Sequence, residues 1–223
     1  MNAEGFTVVS GNRMNASPAA YHDDELQIAL DPANPHRAVP LTDNAESVLD
    51  IGCGAGQTLV AIGNHKRRVG VDVDVEALRC GLSGTLTSGI RVAAAQGEYL
   101  PFSDRTFDFV YSRVALPYMN IPAALAEMHR VLRPGGRLWL TLHTIDIPAA
   151  QFRRGNLKGR IYAVYTVLNG LWFHVSGRTF HFLRGLCESI QTERGMRIAL
   201  SRAGFSRVEF HRTTHHFTVT AQR

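Results

Sequence analysis

The sequence predicts an α/β protein built on a mostly parallel sheet with helices on both faces. Three observations predict it. The short apolar run Ser47-Val48-Leu49-Asp50-Ile51 enters a glycine turn, Gly52-Cys53-Gly54-Ala55-Gly56, and the chain then turns helical. A second apolar run, Arg68 to Asp72, ends on an acidic residue 20 positions beyond the first glycine. Strand-like and helix-like segments then alternate as far as Leu142, which is the pattern of parallel sheets.

With 223 residues and 24.6 kDa, the chain is long enough for one well-buried domain with insertions and short for two. Its hydrophobic fraction of 45% and charged fraction of 19% are those of an ordinary globular protein, which argues against a largely disordered or membrane-embedded chain. Three cysteines (Cys53, Cys80, Cys187) without paired spacing argue against a disulfide framework or a zinc site and fit a reducing compartment. The N-terminus carries Glu4 and no apolar core of signal-peptide length, so a cytoplasmic location is expected. Charge is unevenly spread. Residues 1–150 hold 12 Lys/Arg against 16 Asp/Glu, whereas residues 151–223 hold 12 against 3. Such a basic cap on a mildly acidic body marks either an anionic partner or a solvated face.

Residues 1–20, rich in Asn, Ala, Ser and Gly, read as loosely packed. Tyr21 to Leu30 shows a short helical pattern, and Pro32, Pro35 and Pro40 then break the chain into the first strand. Val48, Leu49 and Ile51 leave that strand no exposed face, which suits the interior of a parallel sheet. The glycines let the backbone turn sharply and approach a ligand, and the helix start that follows offers unpaired N–H groups. Spacing narrows the ligand. A dinucleotide loop reads G-x-G-x-x-G, but here the third glycine comes one residue early and Gln57 stands where that loop needs glycine. Asp50, two residues before the first glycine, is awkward for a pyrophosphate and suits an ammonium or sulfonium. Its other reading is a hydrogen-bonding brace for the turn.

The run Ser47–Gln57 resembles motif I of class I S-adenosylmethionine (SAM) dependent methyltransferases. Further segments extend the resemblance. After a brief helix from Thr58 to Gly63, Asp72 stands at the distance at which an acidic residue ending strand two accepts both ribose hydroxyls. A carboxylate with two acceptor oxygens matches a vicinal diol. The competing role, helix cap, is open to Asp74 ahead of a Val75–Gly81 helix. A third strand, Ile90 to Ala95, leads into Gln96-Gly97-Glu98-Tyr99-Leu100-Pro101-Phe102, similar to the family's Gly-Asp-Ala-Glu-x-Leu-Pro-Phe. The resemblance gives Gln96 the adenine amino contact, with an amide oxygen in place of the usual carboxylate.

Thr106 to Ser112 reads as strand four, and the chain just beyond its carboxyl end lies where open α/β sheets hold ligands. Ser112 and Arg113 are placed for the methionine end of SAM, with the acceptor near Leu116-Pro117-Tyr118-Met119. The segment contains no Asn/Asp-Pro-Pro-Tyr/Phe and none of the cysteines follows a proline, which argues against amino-methylation of adenine or glutamine and against cytosine C5 methylation. Ile121 to Leu132 reads as a helix and Arg137 to Leu142 as strand five. Glu127-Met-His-Arg-Val-Leu-Arg-Pro-Gly-Gly136 between them is close to the family's E-x-x-R-V-L-K-P-G-G. His143, at the end of strand five, is either a general base or a buried structural histidine.

Residues 146–187 fall outside the resemblance. Arg153, Arg154, Lys158 and Arg160 precede an apolar run from Ile161 to Val175. That run is shorter than the roughly 20 residues of a membrane span. It is expected to be a helical lid inserted after strand five, with Trp172 lining an apolar acceptor pocket. It could instead rest on a membrane surface or only complete the core. Glu188 to Ala203 reads as a helix, and Val208–Phe210 and Phe217–Thr220 as strands. This ending resembles the last two strands of the family sheet, which implies a Rossmann-like seven-stranded sheet with the last strand antiparallel.

Over residues 45–143 and 188–222, then, the resemblance implies SAM as cofactor. Its site set is Asp50, Gly52, Cys53, Gly54, Gly56, Asp72, Val73, Gln96, Gly97, Ser112 and Arg113. A small, apolar or aromatic methyl acceptor is expected beside Tyr21, Tyr118, His143 and Trp172, and no metal. Residues 1–40 would be an N-terminal extension with a cover helix, and 41–223 the catalytic domain. Two other classes stay open: a nucleic-acid methyltransferase using the basic C-terminal third, which is the less favoured partner, and a non-catalytic SAM-binding protein. A cytoplasmic protein with a membrane-peripheral contact through residues 151–223 is the expected setting.

Overall fold

In the computed structural model, the residues described are 18–63, 65–85, 89–142, 157–182, 189–212 and 217–223. In chain order they form α1 (Pro18–Leu30), β1 (Ser47–Ile51), α2 (Gln57–Ala61), β2 (Arg67–Asp72), α3 (Val75–Cys80), β3 (Ile90–Ala94), β4 (Phe107–Arg113), α4 (Ile121–Val131), β5 (Leu132–Leu142), α5 (Leu157–Ser176), α6 (Glu193–Arg202), β6 (Ser206–Arg212) and β7 (Phe217–Gln222). The seven strands make one sheet in the order β3-β2-β1-β4-β5-β7-β6. The first five are parallel, and β7 runs antiparallel to both β5 and β6. This is the Rossmann-like sheet that the sequence predicts.

Strand β1 explains the layering. All five of its residues are buried, so both faces of the sheet are covered at its centre. Period-two alternation then sorts the side chains. Leu49 and Ile51 join Val69, Val71 and Val110 in a core completed by α4 (Leu125, Met128) and α6 (Met196, Leu200). Val48 joins Leu59, Leu78, Phe109 and Tyr111 in a second core under α2 and α3. Asp50 alternates onto that second face, in register with Gly70 on one side and Tyr111 on the other.

Several boundaries differ from the sequence reading. Strand β5 starts at Leu132, five residues before Arg137, because Arg133-Pro134-Gly135-Gly136 stays in the sheet as a bulge: Phe107 pairs with Leu132 and Phe109 already with Arg137. Helix α6 starts at Glu193, since Thr192 caps it by accepting the Gly195 N–H at 3.2 Å. Helix α1 starts at Pro18, a residue suited to a first helical turn. Helix α5 is buried on one face through Ala163, Thr166, Asn169, Gly170 and Phe173. A Cβ on Gly195 would stand 2.5 Å from the Phe173 ring, so α6 can approach α5 only through a glycine here.

Candidate functional site

The parallel strands deliver their carboxyl ends to one edge of the sheet. The order changes direction between β1 and β4, and in open α/β sheets the crevice at such a switch point holds the ligand. A cavity of about 650 Å³ opens there, lined by Gly52, Asp72, Val73, Ala95, Gln96, Gly97, Glu98, Tyr99, Ala115, Tyr118, Met119, Asn120, Ala123 and His181. A depression of similar size, about 660 Å³, lies at the opposite edge between residues 43–46 and 133–137. Its charges already neutralise one another, Arg133 on Asp108 at 2.6 Å and Arg137 on Asp43 at 2.9 Å, so it offers no charge to a ligand.

Backbone hydrogen bonds hold the glycine turn in place. Gly52 and Cys53 both donate to the Val71 carbonyl, at 2.8 and 3.1 Å. Gly54 donates its N–H to Asp72 Oδ2 at 2.7 Å, and Asp74 donates to Asp72 Oδ1 at 2.9 Å. A carboxylate has about four lone-pair positions. Two are taken by these N–H groups, and each oxygen keeps one for the cavity. Asp74 caps α3 through Glu76 and Ala77, so the competing role considered for Asp72 is filled by its neighbour.

On the far side of the cavity, an ion pair fixes the loop that carries Gln96 and Gly97. Glu127 on α4 accepts the Leu100 N–H at 2.8 Å and receives Arg130 Nε and Nη2 at 2.6 and 2.8 Å. Arg130 also donates to the carbonyls of Phe102 and Leu100 at 2.7 and 3.0 Å. The Arg130 guanidinium holds the Glu127 carboxyl below its usual range. This is the physical content of Glu-x-x-Arg: one helical turn places acid and base side by side over a loop with no ladder of its own.

Beneath the turn, Asp50 is 1% exposed and its Oδ1 has no hydrogen-bond partner among the described residues. Burial pushes its carboxyl up to about 8, with the Arg113 charge and the Tyr111 hydroxyl pulling it back and Asp72 adding to the rise. Burial, and then the Asp50 charge, also raises the Cys53 thiol, so Cys53 packs as a small apolar residue rather than a nucleophile.

The raised carboxyl has a consequence for stability. The native state keeps a proton that the unfolded chain releases near the ordinary value of 3.8. Unfolding is therefore favoured increasingly as pH rises from about 4 to about 8, and the penalty is complete above that. Asp50→Asn removes the linkage. The variant is expected to be more stable than the parent at pH 8, with the gap shrinking by pH 5 in urea unfolding. An equal gap at both pH values would contradict the assignment.

Helix α1 is tied to the carboxyl end of β4 and to the start of α2. Glu25 pairs with Arg113 at 2.8 Å, with side chains 15% and 19% exposed, and Gln57 Nε2 lies 3.0 Å from His22 Nδ1. Tyr21 meets His22 edge-on.

Of the residues expected from sequence, Gly52, Asp72, Val73, Gln96, Gly97 and Tyr118 line the cavity. Asp50, Cys53 and Ser112 are buried and, like Gly54, Gly56, Arg113 and Tyr21, do not line it; Gly54 braces Asp72, and Gly56 precedes α2 with φ 81°. Trp172 stacks on Phe180 and lies outside the lining. His143 lies outside the described residues. Sequence reasoning missed Glu25, which faces Arg113 across 88 positions, and His181, which sat in the stretch that no motif covered.

Comparison with known proteins now gives the family. Residues 49–140 match the model of a methyltransferase domain. The ubiquinone/menaquinone biosynthesis C-methyltransferase UbiE of Bartonella quintana is 30% identical over 189 residues, covering 75% of this chain and 66% of its own length. A sterol 4-C-methyltransferase of Caenorhabditis elegans is 30% identical over 135 residues, covering 57% and 40%. The chain thus spans less than two thirds of the length of these relatives. Among solved structures, an S-adenosylmethionine-dependent methyltransferase from Mesorhizobium loti superposes with a TM-score of 0.58 at 20% identity, covering 83% of this chain and 94% of that one, which bears on the fold. SAM is the cofactor of such proteins, and the site fits it. A buried carboxylate oxygen lacks a partner, Asp72 has lone pairs to spare, and the turn leaves no room for a Cβ at Gly52, whose added atom would fall 2.1 Å from Ala115 Cβ. The match over residues 49–140, set on this sheet and this cavity, makes that part of the chain a methyltransferase domain of the class I SAM-dependent kind.

Proposed function

We propose that the protein transfers a methyl group from SAM to a small apolar or aromatic acceptor. The observation that carries this reading is the pairing of Asp72, with two acceptor positions left at the cavity wall, and neighbouring Asp50, a buried carboxyl whose Oδ1 has no hydrogen-bond partner among the described residues. Asp72 holds the ribose diol and Gln96 the adenine edge. Asp50 and Arg113 serve the charged methionine end, and Gly52, Gly54, Gly56 and Gly97 let the backbone come close. Bound SAM supplies a methyl group already activated by its sulfonium, open to in-line displacement by the acceptor's nucleophilic atom. The chain then has only to orient the two partners and exclude water. Tyr118, Tyr99 and Met119 give the acceptor an apolar, aromatic rim. Names of relatives, a quinone and a sterol methyltransferase, support an acceptor of that character. We take residues 41–223 as the catalytic domain, α1 as a cover on the methionine end, and 146–187 as an inserted element.

Calorimetry with SAM and S-adenosylhomocysteine tests the donor. A cationic donor beside Asp50 ionises it, so SAM binding at pH 7 is expected to release about one proton, read from heats in two buffers of different ionisation enthalpy. Labelled methyl groups from SAM should then pass to a component of a lipid-soluble metabolite extract. Binding of a nicotinamide cofactor in place of SAM would overturn the reading.

A further inference from the structure

Helix α5 carries its apolar stripe on the face turned away from the body of the protein, the reverse of a helix whose apolar side meets the core. One face is buried against the body of the protein. On the other, Leu157, Ile161, Val164, Leu168, Leu171 and Val175 are 74%, 61%, 47%, 61%, 61% and 58% exposed. Their spacing of four, three, four, three and four residues puts all six within an arc of about 80° at 3.6 residues per turn. The stripe therefore runs the full 20 residues of the helix. Scattered exposed leucines need no explanation, but a continuous apolar stripe does.

The surroundings point to one occupant. Helix α5 contains no acidic residue, Lys158 and Arg160 flank the stripe at its start, and Arg178 follows its end, all three exposed. A second copy of the same helix would bring like charges together, whereas an anionic lipid surface meets them with opposite charge. Aromatic rings edge the stripe as they do at membrane interfaces: Trp172 stacks on Phe180 at 5.8 Å, and Phe180 on Phe182 at 6.0 Å. No described helix is long and apolar enough to cross a membrane.

That aromatic ladder leads to the active-site crevice. Asn169, 2% exposed, grips the backbone of Phe180 from both sides, donating to its carbonyl at 2.8 Å and accepting its N–H at 2.9 Å. The next residue, His181, lines the cavity. The exposed face and the cavity mouth are thus joined by one rigidly held segment.

We propose that α5 lies flat on an anionic phospholipid surface, its apolar stripe inserted among the acyl chains, so that the cavity mouth faces the bilayer and receives an acceptor dissolved in it. The acceptor part rests on the proposed methyltransferase activity, but the docking does not.

The experiment is flotation of the full chain with vesicles of phosphatidylcholine alone or with phosphatidylglycerol added, in parallel with S-adenosylhomocysteine calorimetry. Binding is expected to the mixed vesicles only, falling roughly fivefold for each of Lys158→Gln and Arg160→Gln. Leu168→Glu/Leu171→Glu changes only exposed positions and is expected to abolish flotation while leaving S-adenosylhomocysteine affinity unchanged. In the Trp139→Phe variant, which keeps Trp172 alone, brominated lipid is expected to quench the remaining emission. Absence of flotation, or equal flotation with both vesicle types, overturns the proposal. So does a dimer in light scattering that the double leucine variant converts to a monomer, since a second copy then covers the face. Failure of S-adenosylhomocysteine to bind a protein that still floats would count against the proposed function and leave the docking standing.

Discussion

Asp72→Ala is expected to weaken S-adenosylhomocysteine binding about a hundredfold. Hydrogen bonds to a charged group contribute about 1.5–3 kcal/mol each, and two of them lost to a ribose diol come to about 3 kcal/mol or more. Other effects work through the protein itself. Asp72 also accepts the N–H groups of Gly54 and Asp74, so alanine frees the glycine turn as well. Because Asp72 is only partly buried, water replaces those two bonds, and the stability of the unliganded protein should change by no more than about 1 kcal/mol. Asp72→Asn separates the contributions: it keeps the shape and one acceptor oxygen, and should fall between alanine and the parent. The measurement is titration calorimetry, and an unchanged affinity for the alanine variant would falsify the ribose contact.

Gly52→Ala is expected to be the most damaging single methyl in the site. Gly52 has φ +78°, a left-handed conformation that costs an L-residue about 1–2 kcal/mol. The new Cβ would also stand 2.1 Å from Ala115 Cβ, and overpacking of this kind costs about 1–3 kcal/mol. Together these give a loss of about 2–5 kcal/mol, together with a displaced Ala115 on the cavity wall. Gly52→Ala/Ala115→Gly removes the collision but not the backbone strain, and should recover about half of the loss in denaturant midpoint. A double variant no better than the single one would show that the collision is not the cause.

What the sequence disclosed and what it hid divide along one physical line. Val48, Leu49 and Ile51, the glycine turn and Asp72 lie within 25 residues of one another, and their meaning is set by local geometry: a strand with no polar face, a positive φ, a fixed distance to the next strand's end. The Glu127–Arg130 pair is local too, but its partners at Leu100 and Phe102 are brought to it by the fold, so the motif could be recognised and its task could not. Pro134-Gly135-Gly136 signals a break, yet the ladder to β4 continues past it because a bulge absorbs the extra residues. Glu25 facing Arg113 leaves no periodic trace at all. For helix α5 the sequence shows an apolar run but not which side of it is turned inward: the stripe from Leu157 to Val175 is exposed, and composition alone does not select it.

The grip of Glu127 and Arg130 on the segment from Leu100 to Phe102 ties a stretch of irregular chain to the helix that shares its core. Such coil shares the permanence of α4, whose Ile121, Leu125 and Met128 are buried in the core. The wall beside Gln96 therefore stays set whether or not anything rests against it. On the proposed reading, in which α1 covers the methionine end, whatever yielding is needed to admit or discharge a bulky nucleoside falls to α1, fastened there by the Glu25–Arg113 and His22–Gln57 contacts.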